Sequence, residues 1–318
     1  MHPANSVIFF TTATGAGYGL FVWLAVLALM GILPQEQAFS FTALLIGFGL
    51  IVGGLLSSTF HLGHPERAWR ALSQWRSSWL SREGVMAILT FIPLSLFAVN
   101  WLFLKQTTGA VVLFAVLGAI MSLITVFTTS MIYASLKTIP AWHNVWTKAG
   151  YLVLCLMSGA ILTMALCYGF GLTDQGYHLF LPAVSTLGLA LIAKLLYWRH
   201  IHAGKPTSTA ESATGLGNFG KVSLAGSPHG EDNYLLKEMG FKIARKHARK
   251  IRIIASIFAF ALPLILIGIG MHMLGGMHRT AAIIVAALSC AIGLVFERWL
   301  FFAEAKHVVT LYYGESKV

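Results

Sequence analysis

Eight long apolar stretches divide this chain, and they constrain its fold more than any other feature. They cover roughly residues 7–32, 40–60, 84–104, 109–136, 149–171, 179–198, 252–275 and 280–303. A helix needs about 20 mostly apolar residues to cross the hydrocarbon core of a bilayer. The stretches lack the period-two alternation of membrane barrel strands. The sequence therefore predicts an all-α integral membrane protein with eight transmembrane helices.

The composition supports a lipid environment. Hydrophobic residues make up 57% of the sequence and charged residues only 10%, whereas soluble domains are about half apolar and a quarter charged. The net charge is +11, but the basic residues lie between the apolar stretches. This placement indicates orientation in a membrane, and no nucleic acid partner is predicted.

Basic residues are concentrated in alternate loops. The connector 61–83 contains four arginines and the loop 199–251 contains nine Lys and Arg residues, whereas loops 33–39 and 172–178 contain none. Short loops rich in Lys and Arg stay in the cytoplasm. We therefore expect both termini and all even-numbered loops to be cytoplasmic.

The loop 199–251 divides into two parts by composition. Residues 203–232 are rich in Gly, Ser and Thr and are predicted to be flexible. Residues 233–251 have the pattern of a basic amphipathic helix at the membrane surface. Anionic lipid headgroups would hold such a helix, and docking of a soluble partner is the alternative.

The connector reads HLGHPERAWRALSQWRSSWLSRE and concentrates titratable groups in a sequence that is otherwise poor in them. His61 ends one span and Glu83 begins the next, so a helical hairpin would bring them to the same depth. Imidazole and carboxylate groups exchange protons near neutral pH. Quinone reduction takes up two protons, and Arg67 would hold ionised oxygens nearby. A structural clamp is the alternative for His61 and Glu83, and topology alone is the alternative for the arginines.

Aromatic groups offer walls for a quinone ring. Trp69, Trp75 and Trp79 lie in the connector itself, although an interfacial aromatic belt would use the same residues. The fourth loop adds further candidates on the same side, namely Tyr133, Trp142 and His143. His143 is either a second proton-handling group or a capping residue of the loop.

Two features lie inside or near other spans. Glu297 and Arg298 interrupt the last apolar stretch, so they should face the helix bundle. They either link a quinone pocket to water or lock two helices together. His178 and His272 lie near the outer ends of two spans, where they are candidate axial ligands for haem b. We favour structural roles for both histidines.

Motifs of self-contained catalysis are absent from the sequence. It contains no GxGxxG fingerprint, phosphate-binding loop or HExxH motif. The sequence thus argues against a complete catalytic site for substrate chemistry. An ion or proton transporter is an alternative, but we find no inverted repeat of the kind transporters use.

Three motifs carry a family resemblance over essentially the whole sequence. HLGHPERAW with SREG, MIYASLKTIPAWHN and ERWLFFAEAKHVVTLYYG resemble the membrane anchor of the dimethyl sulfoxide reductase family. This family is part of the wider NrfD/polysulfide-reductase-like group. The opening MHPANSVIFFTT and the tail RWLFFAEAKHVVTLYYG are most similar to anchors of the cytoplasmic, quinone-dependent sulfite dehydrogenase type.

The resemblance implies a complex in a bacterial cytoplasmic membrane. A molybdopterin subunit performs the substrate chemistry, and a ferredoxin-like subunit with iron–sulfur clusters connects it to this anchor. The anchor exchanges electrons with ubiquinone or menaquinone and commonly lacks haem. The resemblance places the quinone site at His61, Gly63, Arg67 and Glu83, with His64 in the same motif.

The resemblance also implies two four-helix bundles, in residues 1–137 and 138–318. The reductase members of the family present their catalytic subunits to the periplasm. The arginine-rich connector places the partner-facing side in the cytoplasm, which favours sulfite oxidation with electrons entering quinone. A dimethyl sulfoxide- or polysulfide-type reductase anchor that oxidises quinol is the alternative.

A reporter fused after Val318 tests the predicted orientation. We expect a fluorescent protein at this position to fluoresce and alkaline phosphatase to be inactive, because phosphatase folds only outside the cytoplasm. Phosphatase fused after Lys105, in an odd-numbered loop, is the control and should be active. An active phosphatase at Val318 would overturn both the orientation and the sulfite-oxidising assignment.

Overall fold

The computed structural model describes residues 3–60, 62–203, 208–226, 228 and 243–318. It confirms an all-α membrane protein: eight helices are long and apolar enough to cross a bilayer, and the described residues form no strand. His61 and most of the predicted surface helix 233–251 lie outside the described residues.

The described residues form eleven α-helices. They are α1 Asn5–Leu29, α2 Gln37–Thr59, α3 Trp79–Ala98, α4 Ala110–Ala134, α5 Val145–Gly169, α6 Thr173–His178, α7 Phe180–Ala203, α8 Ala210–Thr214, α9 Ile243–Ser256, α10 Leu262–His272 and α11 Gly276–Ala303. A π turn at Val99–Phe103 extends α3, and a second at Ile257–Ala261 joins α9 to α10. The α9–α10 helix is therefore one continuous span.

The third span begins at Trp79, five residues before the predicted start at residue 84. Ser78 lies just before the helix, and its side chain accepts a hydrogen bond from the Ser81 amide. Such a cap satisfies an amide that would otherwise have no partner at the helix start. As a consequence Glu83 lies inside the second turn of α3, about 6 Å below the helix start at 1.5 Å per residue.

Helix α1 packs at the centre of the molecule, against α2, α4, α5 and α11. Its contact with α5 is close because two glycines meet there. A Cβ on Gly19 would overlap the carbonyl of Cys155, and a Cβ on Gly159 would overlap the backbone of Gly19. Small residues allow this backbone approach in membranes. The contact lies between one helix from each of the predicted bundles 1–137 and 138–318.

Both termini lie on one side of the helices, which we call the terminus side. The Ser57 hydroxyl donates to the carbonyl of Ser6 at 3.0 Å, which brings the end of α2 beside the start of α1. The Val308 amide donates to the carbonyl of Thr138 at 3.0 Å. The connector and the fourth loop are therefore on the terminus side with the C-terminal tail.

The tail also holds part of the loop that the sequence predicts to be flexible. Thr209 and Lys317 form an antiparallel bridge. At the start of the tail, Nδ1 of His307 accepts from the Val309 amide at 3.0 Å. Partial burial lowers the pKa of His307, which favours the neutral ring that can accept this bond.

The Gly19–Gly159 contact generates a stability prediction. We expect Gly19→Ala to lower the free energy of unfolding by about 1–3 kcal/mol, because the added methyl group forces α1 away from α5. Gly15→Ala is the control, since a Cβ there meets no atom within 4 Å. The measurement is the melting temperature of the purified membrane complex. Equal melting temperatures for the two variants would contradict the close contact.

Candidate functional site

The connector forms an exposed 3₁₀ segment, Pro65–Gln74, in which no residue is buried. His64 Nδ1 lies 3.1 Å from Glu66 Oε1, and Arg67 Nε lies 3.6 Å from the same oxygen. Gly63 precedes them in open space. The motif residues 63–67 thus lie at the surface of the terminus side.

Two tryptophans of the connector are unusually exposed. Trp69 is 68% exposed and Trp75 is 53% exposed, with Arg70 and Arg76 each placed over the tryptophan that precedes it, at 5.6 and 5.4 Å. Trp79 packs edge-on against Phe127. Large exposed apolar side chains rimmed by charge are typical of interaction surfaces.

The connector folds back onto the first turns of α3. The Ser81 hydroxyl donates to the carbonyl of Ala71. The Arg82 guanidinium donates to the carbonyls of Trp75 and Arg76 at 3.0 and 2.7 Å. These bonds fix the exposed connector directly above the buried residue that follows Arg82.

That residue is Glu83, which is 6% exposed. The Thr129 hydroxyl of α4 donates to Oε1 of Glu83 at 3.3 Å, which is the carboxyl's one hydrogen bond within the described residues. Deeper in the same helix pair, the hydroxyls of Thr90 and Thr125 lie 2.9 Å apart. A carboxyl buried at membrane depth is costly, which makes Glu83 a candidate functional group.

Tyr133 and Trp142 are buried in an aromatic cluster rather than at the surface. The Tyr133 ring stacks on Tyr151 at 5.8 Å and meets Trp142 edge-on at 5.3 Å. The indole nitrogen of Trp142 donates to the carbonyl of Phe301 at 2.9 Å. His143 is exposed, and its Nδ1 lies 2.6 Å from the carbonyl of Ala134 at the end of α4.

The deepest charges form a cluster of three side chains, Lys194, Glu297 and Arg298. Glu297 Oε1 pairs with Lys194 Nζ, and Glu297 Oε2 pairs with Arg298 Nε at 2.7 Å. Each side chain is at most 6% exposed. Glu297 and Arg298 stand out in the sequence, whereas Lys194 was not predicted. The sequence does mark Lys194 in one way, since it is the one charged residue in the apolar stretch 179–198.

Two small cavities flank this cluster. One has a volume of about 20 Å³, which is room for a water molecule, and both Thr129 and Arg298 line it. The other has about 10 Å³ and lies beside Lys194 and Arg298. The first cavity therefore separates the Glu83–Thr129 pair from the charge cluster.

His178 and His272 lie at the other end of the molecule, and both are exposed. His178 Nε2 lies 4.0 Å from Asp174 Oδ1. The ring of His272 packs edge-on against Phe180 at 5.5 Å. Their assignment as haem ligands stays a prediction.

The charge cluster generates a second stability prediction. Glu297→Gln leaves two cations buried without a counter-charge, and breaking a buried pair in this way costs about 3–5 kcal/mol. Lys194→Met leaves the neutral Glu297–Arg298 pair, so we expect a smaller loss. The measurement is unfolding of the purified complex followed by tryptophan fluorescence. A larger loss for Lys194→Met would contradict the ion-pair geometry.

The sequence matches a known family over nearly its whole length. The family model for the DMSO reductase anchor subunit (DmsC) matches residues 1–302. The protein is 33% identical to the C subunit of sulfite dehydrogenase from Allochromatium vinosum, over 98% of this sequence and 99% of that one. It is 30% identical to the C chain of anaerobic dimethyl sulfoxide reductase from Escherichia coli, over 54% of this sequence and 60% of that one. The protein therefore belongs to the DMSO reductase anchor family and is a multi-pass membrane anchor of an oxidoreductase complex.

Proposed function

We propose that this protein is the quinone-reactive subunit of its complex. It receives electrons from a ferredoxin-like iron–sulfur subunit and passes them to quinone at the terminus side. A molybdopterin subunit oxidises sulfite and supplies those electrons. The proposal rests above all on Glu83, a buried carboxyl held directly beneath an exposed connector rich in arginine and tryptophan.

The chemistry of quinone reduction accounts for this arrangement. Two electrons and two protons convert a quinone to a quinol, so the site needs a group that delivers protons where water is scarce. Glu83 is buried and accepts one hydrogen bond, from Thr129, which leaves lone pairs of the carboxyl free to exchange protons. His61 is the predicted second proton group and lies outside the described residues.

The exposed connector supports a docked iron–sulfur partner. Trp69 and Trp75 present apolar rings to the surroundings, and Arg67, Arg70 and Arg76 surround them. Tryptophan and arginine are the residue types that dominate protein interfaces. A partner docked here would bring its cluster close to the quinone headgroup above Glu83.

The predicted orientation and the similarity support the proposed direction of electron flow. The predicted cytoplasmic position of the connector places the partner subunits in the cytoplasm, where sulfite-oxidising members of the family have them. Similarity to the sulfite dehydrogenase relative extends over almost the whole of both proteins. The second candidate is a reductase anchor that oxidises quinol, favoured by the partial similarity to the dimethyl sulfoxide reductase relative.

Glu83→Gln tests the proposed quinone site. Since the amide cannot carry a proton to the quinone, we expect quinone-coupled turnover of the assembled complex to fall by roughly 10²-fold or more, with assembly unchanged. We expect His61→Ala to lower quinone-coupled turnover as well. The measurement is sulfite-dependent reduction of a short-chain quinone by the purified complex.

Glu36→Gln is the matched control, because Glu36 is exposed in the loop between α1 and α2, on the opposite side from the connector. Metal analysis of the purified complex tests the partners, which should contribute molybdenum and iron. Wild-type quinone kinetics in both the Glu83 and His61 variants would remove these residues from the mechanism.

A further inference from the structure

A wide groove lies between α7 and the α9–α10 span and opens at the outer surface of the molecule. It has a volume of about 690 Å³, far more than the water-sized cavities beside the charge cluster. The α7 wall is one face of that helix and consists of Val184, Leu187, Gly188 and Leu191. The lining positions of α9–α10 recur every three or four residues from Arg249 to Leu264. The groove therefore runs parallel to both helices.

The α9–α10 span is held against α11 rather than against α7. Within its π turn, the Leu262 amide donates to the carbonyl of Ile257, five residues back. The next amide in this register would serve the Phe258 carbonyl, but Pro263 has no N–H. The Ser289 hydroxyl of α11 donates to that carbonyl instead, at 2.8 Å. The break in the span is thus repaired by α11.

A glycine tightens the same contact. A Cβ on Gly293 of α11 would overlap the backbone of Ala259, so the two helices approach closely at this point. Helix α7 in turn packs chiefly against α5. The facing sides of α7 and α9–α10 are therefore left apart along the groove, which ends before the His272 ring packs edge-on against Phe180 at 5.5 Å.

One end of the groove is basic and the rest is apolar. Arg249 and Arg252 line the terminus-side end, and they are the only titratable residues among the described residues of the lining. Nη2 of Arg252 donates to Glu304 at 2.5 Å, whereas its Nε has no hydrogen-bond partner in the described part of the chain. Arg249 is exposed, and no described carboxylate pairs with it. Ser256 is the one polar side chain below the arginines.

The length of the groove matches one leaflet of a bilayer. From Arg249 to Leu264 the span rises about 22 Å at 1.5 Å per residue. A bilayer is about 40–45 Å thick with its headgroups, so one leaflet measures about 20–22 Å. Positive charge therefore lies at headgroup depth, and the apolar lining extends from there to the middle of the membrane.

We propose that the groove binds one anionic phospholipid, with its phosphate at Arg249 and Arg252 and an acyl chain between α7 and α9–α10. Guanidinium groups bind phosphate oxygens through paired N–H donors, and basic pockets between transmembrane helices hold anionic headgroups. A quinone is a poorer occupant, because its reduction needs a group that releases protons and arginine keeps its own. The lipid site is independent of the quinone chemistry proposed for Glu83.

Gly188→Phe tests the apolar half of the site. Gly188 is exposed, and a Cβ there meets no atom within 4 Å, so the phenyl ring can enter the groove. We expect the wild-type complex, purified in detergent with added phosphatidylglycerol, to retain one such lipid in native mass spectra, and the variant to retain at least fivefold less. Gly49→Phe is the control, because Gly49 is an exposed glycine of α2 with equally open space.

Arg249→Gln tests the headgroup half. One arginine near the surface of an anionic membrane accounts for about a fivefold difference in binding, so we expect about fivefold less bound phosphatidylglycerol. The wild-type complex should prefer phosphatidylglycerol to phosphatidylcholine, which has no net charge, by at least the same factor. Lys137→Gln is the control, because Lys137 is an exposed basic residue on the same side. This comparison decides by itself if the Gly188→Phe complex does not assemble.

Three results would overturn the lipid site. They are equal retention of the two lipids by the wild-type complex, wild-type retention of phosphatidylglycerol by the Gly188 and Arg249 variants, and loss of co-purified quinone from Gly188→Phe with phosphatidylglycerol unchanged. The last would assign the groove to a quinone tail. A complex that retains the lipid selectively but does not reduce quinone with sulfite would contradict the proposed function alone.

Discussion

The cost of placing charge in hydrocarbon governs the arrangement of this molecule. The cluster of Lys194, Glu297 and Arg298 lies within spans, with each side chain almost fully buried, and every charge in it has an opposite partner. Such a cluster exists only if α7 and α11 are held in one register. It therefore constrains the helix packing as firmly as the apolar contacts around it. Glu83 is the exception, since its one described hydrogen bond comes from a neutral hydroxyl.

The close approach of α1 and α5 places these polar groups within reach of one another. Gly19 and Gly159 allow backbone contact between the two helices, which brings the α3–α4 pair near α11. The polar cavity between Thr129 and Arg298 lies in this junction. In the proposed mechanism, the chemistry on the terminus side thus depends on a contact made deep within the apolar core.

One half of the candidate site stands out in the sequence. The connector stands out because its histidines, arginines and tryptophans interrupt apolar stretches, and its position between two spans is read directly from the sequence. The depth of Glu83 was harder to predict from the sequence, because the Ser78 cap extends α3 beyond the apolar stretch. Lys194 was missed because its partner Glu297 lies about a hundred residues further along the sequence. A charge pair of that separation has no local signature.

Hydrophobicity alone determined the class of the protein, the number of spans and their approximate bounds, because a helix must be apolar over the full thickness of the bilayer. The local motifs determined the family. The tertiary structure decided which polar side chains meet: it buried Tyr133 and Trp142 in an aromatic cluster and joined α7 to α11 through an ion pair. The physical reason is that apolar periodicity fixes how a helix lies in lipid but not which neighbour it faces. That choice depends on the shapes and charges of residues far apart in the sequence.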